Sequence, residues 1–138
     1  MHNYGTLDSS YIAAGAELGV RRLVDEFYQQ METQERGKHI RAMHTEDLHI
    51  IKDKLSLFLI GWLGGPRNYG EKYGSISIPT AHQHLDIGEE ERDAWLFCMK
   101  AALEHQAYDQ DFKQYLMQQL AFPAERIRQV SQMTYGKI

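Results

Sequence analysis

The first constraints on this chain come from what it lacks. It has a single cysteine, Cys98, so no disulfide can form within it, and its stability must come from burial. There is no CxxC pair, so neither a dithiol redox motif nor a zinc ribbon is present. No glycine-rich phosphate loop, HExxH motif or readable Ser-His-Asp arrangement occurs. Excess positive charge is missing too. Lys and Arg number 15 against 19 Asp and Glu, for a formal charge of -4. That argues against a nucleic-acid binder, which would show a basic patch or stripe. Long apolar runs are absent, because the most apolar stretch, 55–63, is far short of the roughly 20 residues that span a bilayer. The opening Met1-His2-Asn3-Tyr4-Gly5 lacks the charged and apolar regions of a signal peptide, so a cytoplasmic location is expected. What remains is one domain over residues 1–138, with 43% apolar and 25% charged residues, the balance of an ordinary globular protein.

The pattern along the chain is helical, with no convincing alternation of strands. Ser9 or Ser10 is expected to cap a short helix running to Ala14. Gly15 and Gly19 punctuate the entry to the next. Val20, Leu23, Val24, Phe27, Tyr28 and Met31 recur at spacings of three and four, which is one apolar stripe on an amphipathic helix. A polar bend at 33–37 and a short helix at 38–43 follow. Thr45 or Asp47 can cap a longer helix whose buried side carries Leu48, Ile51, Leu55, Phe58, Leu59, Trp62 and Leu63. Gly64-Gly65-Pro66 should end it. Periodicity fails from Pro66 to Ala81, so that stretch reads as a long loop. Gly88 opens a helix with Glu89, Glu90 and Glu91 in its first turn, favourable to the helix dipole, and with Trp95, Cys98, Met99 and Ala102 on its buried face. A final helix from Tyr108 carries Phe112, Leu116, Leu120, Ile127 and Val130. Pro123 should kink or break it.

The most distinctive run is Glu91-Arg92-Asp93-Ala94-Trp95-Leu96-Phe97-Cys98-Met99, a few turns past His82 and His84. Together with Phe27-Tyr28 and Gly64-Gly65-Pro66, it resembles the group II truncated haemoglobins from about Tyr11 to about Met133. The resemblance implies an all-α, globin-like fold, the truncated two-over-two helical sandwich. It implies one haem b (iron protoporphyrin IX) and places the iron ligand at His82. By chemistry alone His84 is an almost equal candidate. The family's usual arginine before the ligand is Ala81 here, and its proline-phenylalanine pair is replaced by His84 and Leu85. On the ligand side the resemblance places Tyr28, Trp95 and His44. Bound dioxygen draws negative charge, which O–H and N–H donors stabilise. A pocket-facing His44 would add a group that titrates near neutral pH. Ile51, Leu55, Phe58 and Ile87 are expected to wall the pocket. Lys54 and Tyr69 are expected to meet the haem propionates, with Arg67 a substitute for the missing arginine. Cys98 reads as a small buried packing residue.

Three functions are consistent with these residues. The first is reversible binding of dioxygen and other diatomics such as nitric oxide or carbon monoxide. The second is an enzyme that detoxifies nitric oxide or peroxide with a separate reductase. The third is a haem-free helical interaction module. No nucleic-acid or membrane partner is expected, and the protein is expected to act as a monomer or homodimer.

Overall fold

The computed structural model describes residues 3–75, 82 and 84–135. Its helices are α1 (Ser9–Ala13), α2 (Ala16–Thr33), α3 (Lys38–Ala42), α4 (Leu48–Trp62), α5 (Tyr69–Tyr73), α6 (Glu89–Glu104) and α7 (Gln110–Thr134), with a 3₁₀ turn at Glu35–Gly37 before α3. No strand occurs among the described residues, and no helix there is long and apolar enough to cross a membrane.

Helix α2 packs on both α4 and α6, and α6 packs on α7. The pair α2/α4 lies over the pair α6/α7, the two-over-two sandwich. The apolar stripe of α2 is its centre: Val20, Leu23, Val24, Phe27, Tyr28 and Met31 are all buried. From α6 come Ala94, Cys98, Met99, Ala102 and Leu103, and from α7 come Phe112, Leu116 and Leu120. Cys98 is fully buried, and burial raises its thiol pKa despite nearby Arg36, so it behaves as a packing group.

Close approach explains one glycine in particular. A Cβ on Gly37 would lie 2.6 Å from the Met31 Cα and 2.8 Å from the Cys98 Sγ. Only hydrogen fits there, and that lets the 3₁₀ turn press onto α2 and α6. At the end of α4, Gly64 takes φ +100 and stops the helix as the sequence predicts.

Several sequence expectations need correction. Neither Ser9 nor Ser10 caps α1, whose N-cap is Asp8 without a side-chain bond. Instead the Ser9 hydroxyl donates to Asn3 O and the Ser10 hydroxyl accepts from Gly5 N, so both serines fasten the segment ahead of the helix. Asp47, by contrast, does cap α4, accepting from His49 N at 2.9 Å. The stretch 66–81 is not all loop, because α5 lies inside it. Residues 76–81, including Ala81, fall outside the described residues. Pro123 does not break α7, which runs through it. The lost N–H bond costs the helix locally, and the packing of Leu116 and Leu120 against the core keeps it continuous. Trp62 is 38% exposed, stacked on Phe58 at the open end of α4, and is not a core residue.

Candidate functional site

Helix α4 has two apolar sides, where the periodicity suggested one. Ser56, Leu57, Leu59 and Ile60 are buried in the body of the sandwich. Ile51 is also buried, while Leu55 and Phe58 on the same stripe are only half-covered. A half-covered apolar wall is where a flat apolar group can lie.

Helices α2 and α6 together build an aromatic chain. The Phe27 ring is fully buried. It meets Trp95 edge-on at 5.0 Å and Tyr28 edge-on at 5.2 Å. Tyr28 meets His44 edge-on at 5.6 Å. Thus Tyr28 and His44 meet directly, and Trp95 is linked to them through Phe27. Burial pushes the Tyr28 phenol well above its ordinary pKa, with Arg41 opposing, so it keeps its proton. Among the described residues, neither the Tyr28 hydroxyl nor the Trp95 indole N–H has a hydrogen-bond partner. No buried side-chain polar atom among the described residues lacks a partner, so both of these unbonded donors face open space, where a polar ligand can accept from them.

His44 is more constrained than its position suggested. Its Nδ1 lies 2.8 Å from the carbonyl oxygen of Ile40. A carbonyl only accepts, so Nδ1 carries the proton and the neutral ring presents Nε2 as an acceptor. Burial lowers the His44 pKa. The Ile40 bond opposes that shift, while Arg41 and His82 add to it. His44 therefore favours the neutral form and donates through Nε2 only when charged.

His82 is half-buried and close enough to His44 for its charge to be felt there. The side chain of His84 is exposed. Ile87 is half-buried just beyond.

Lys54 donates to both carboxylate oxygens of Glu46 at 2.9 Å and lies over the Tyr73 ring. Tyr69 packs against Tyr73 at 5.3 Å. A lysine and the Tyr69 phenol on one edge are a chemically suitable set for a carboxylate, while the Tyr73 hydroxyl is committed to Asp53. Arg67 lies elsewhere, lining a 260 Å³ cavity with Gly5, Leu7, Trp62, Tyr115 and Gln119. Beside Lys54, Asp53 accepts from Lys72, Tyr73 and Arg21 and so ties α2, α4 and α5 together. The Lys72 and Tyr73 bonds hold its pKa down to about 2, against the opposing effect of burial.

Sequence reasoning missed the polar residues Ser131, Gln132 and Tyr135 at the end of α7, which bind the backbone downstream of His82. In a helix rich in glutamine, a buried serine and glutamine give no periodic signal.

Residues 9–129 match the family model described as bacterial-like globin. The chain is 30% identical over 122 residues to the group 2 truncated hemoglobin YjbI of Bacillus subtilis (strain 168), covering 88% of this chain and 89% of that protein. Among solved structures, it superposes on the cold-adapted truncated hemoglobin of the Antarctic marine bacterium Pseudoalteromonas haloplanktis TAC125 with a TM-score of 0.81 and 30% identity. That match covers 86% of this chain and 95% of the other. The group II 2-on-2 hemoglobin of Agrobacterium tumefaciens gives a TM-score of 0.80 and 31% identity, covering 86% and 92%. The truncated oxygen-avid haemoglobin of Bacillus subtilis gives 0.77 and 30%, covering 86% and 97%.

Proposed function

The chain belongs to the bacterial-like globins as a group II truncated haemoglobin, and from that premise we propose that it holds one haem b through His82 and binds dioxygen. Membership implies haem binding and a gaseous ligand such as oxygen. Haem, when bound, supplies the iron at which such a gas coordinates.

The chain's own residues do the rest. His82 supplies a neutral imidazole, and its half-buried place beside His44 favours it over the exposed His84. Ile51, Leu55, Phe58 and Ile87 offer apolar cover that keeps water out. Lys54 and Tyr69 offer a cation and a phenol to the propionates, with Glu46 giving up Lys54 in exchange. Tyr28 and Trp95 donate toward the negative charge that a bound gas draws. The observation that supports this reading is that both rings pack on the buried Phe27 ring while their donors stay open to space and are not buried unsatisfied groups. Buried hydrogen bonds of this kind are each worth roughly 1.5–3 kcal/mol, enough to slow oxygen escape.

The purified protein, supplied with haem, tests it through ferric, ferrous and ferrous-CO spectra of the wild type, His82→Ala and His84→Ala. A sharp Soret band lost only in His82→Ala is expected. Loss only in His84→Ala would move the ligand. No stoichiometric haem in the wild type would leave a helical module without a cofactor.

A second reading, peroxide turnover, is favoured by His44. Its neutral Nε2 can take a proton from a peroxide in the pocket, with reducing equivalents supplied by a separate reductase or small reductant. Peroxide consumption that falls in His44→Leu would support it.

A further inference from the structure

The backbone that follows His82 is irregular at 84–88. It has no proline and, before Gly88, no glycine. Nothing in its own sequence stiffens it, and its half-buried N–H and C=O groups need partners. Those partners come from the last turns of α7.

The Tyr135 hydroxyl donates to the carbonyl oxygen of His84 at 2.6 Å. The Ser131 hydroxyl donates to the carbonyl oxygen of Leu85 and accepts from Ile87 N at 2.8 Å. The Gln132 amide donates to the carbonyl oxygen of Ile87 at 2.8 Å and to Asp86 Oδ1 at 2.9 Å. Leu85 N in turn donates to the carbonyl oxygen of His82 at 3.0 Å. The turn that begins at His82 is therefore bound into the same set.

Ser131 is fully buried and Gln132 nearly so. Burying a hydroxyl and an amide is unfavourable unless each is hydrogen-bonded. Apolar residues would avoid that desolvation if the only requirement were to seat α7. The polar groups are instead used on 84–88, and Ser131 bridges it by both donating and accepting.

We propose that Ser131, Gln132 and Tyr135 are positioning residues for the His82 imidazole. The orientation of that ring toward the pocket is then set by the far end of the chain. This rests on the reading of His82 as the proximal ligand.

The test uses the full chain loaded with haem. The iron–histidine stretching band of the ferrous form is recorded by resonance Raman, and haem loss is timed with an apoglobin acceptor. Ser131→Ala and Tyr135→Phe are compared with Met133→Ala, a change at an exposed neighbour on the same turns. Ser131→Ala and Tyr135→Phe are expected to shift or broaden the band and to raise haem loss about threefold to tenfold, as for one lost hydrogen bond. Met133→Ala should leave both unchanged. A purely structural role would lower the melting temperature without moving the band. An unshifted band with haem loss within about twofold of wild type would overturn the proposal. If Ser131→Ala does not fold, Tyr135→Phe, which sits at the half-exposed end of the clamp, decides alone. No haem in the wild type, or a band that persists in His82→Ala, would sink the assignment of His82, a failure distinguishable from that of the clamp.

Discussion

Replacing Trp95 with phenylalanine removes one donor and keeps a ring in its place. The indole stands edge-on to Phe27 at 5.0 Å, and a phenyl ring can hold that contact. The indole N–H has no acceptor among the described residues, so its loss orphans nothing in the protein. The stability cost should therefore be that of a smaller half-buried ring, below about 1.5 kcal/mol. The cost to a charged ligand is larger. One hydrogen bond to a charge-bearing partner, at roughly 1.5–3 kcal/mol, corresponds to about a tenfold to hundredfold faster release. Stopped-flow displacement of oxygen from the ferrous protein measures this directly. Carbon monoxide, which draws less charge, should be released with a smaller change. The double variant with Tyr28→Phe should be faster still, and its departure from additivity measures how the two donors share one ligand. Oxygen release within about twofold of wild type, with haem fully bound, would refute the role given to the indole.

Two further outcomes concern the frame around the pocket. Gly37→Ala should destabilise the fold by about 1–3 kcal/mol, as overpacking does, because the new methyl meets Met31 backbone and the Cys98 Sγ. A urea midpoint unchanged from wild type would contradict that packing. The folded pKa of Asp53, about 2, lies below that of an unfolded aspartate. Its contribution is therefore full above pH 4 or so and fades as pH falls toward about 2. Asp53→Asn should be less stable than wild type at pH 6, by up to about 2 kcal/mol, with the gap closing in acid. A gap independent of pH would show that the carboxylate charge is not what Arg21, Lys72 and Tyr73 hold.

Much of the fold was legible because helical periodicity is a direct image of burial. The six apolar residues read for the α2 stripe are all buried, though buried Gln30 was not foreseen, and Gly64 and Gly88 marked real helix boundaries. The errors have physical causes. Pro123 predicts a break only if local propensity decides, and in α7 the packing of Leu116 and Leu120 decides instead. Helix α5 was lost in a glycine-containing stretch too short to show a period. The serines that open α1 carry a capping signature, but their hydroxyls serve the segment upstream. Tyr28, Trp95 and His44 were placed on the ligand side by the resemblance; the structure links them in one aromatic chain through Phe27, and their role toward a ligand is part of the proposal. The state of His44 was not legible, because a bond to Ile40 leaves no mark in composition or spacing. The clamp of Ser131, Gln132 and Tyr135 was invisible for the same reason: it joins side chains to backbone, and backbone has no letter in a sequence.

Helix α4 has two apolar sides, with Ser56, Leu59 and Ile60 buried and Leu55 and Phe58 half-covered on the side where the haem is proposed to lie. With its side chains such a helix is about 10 Å thick, and protein interiors scarcely compress. If the haem lies there as proposed, the helix is a partition of fixed thickness. Volume added behind it, at Ser56, has to reappear in front of it as a narrower pocket, and volume removed there widens the pocket. Room for the ligand is thus governed partly by residues that never face it.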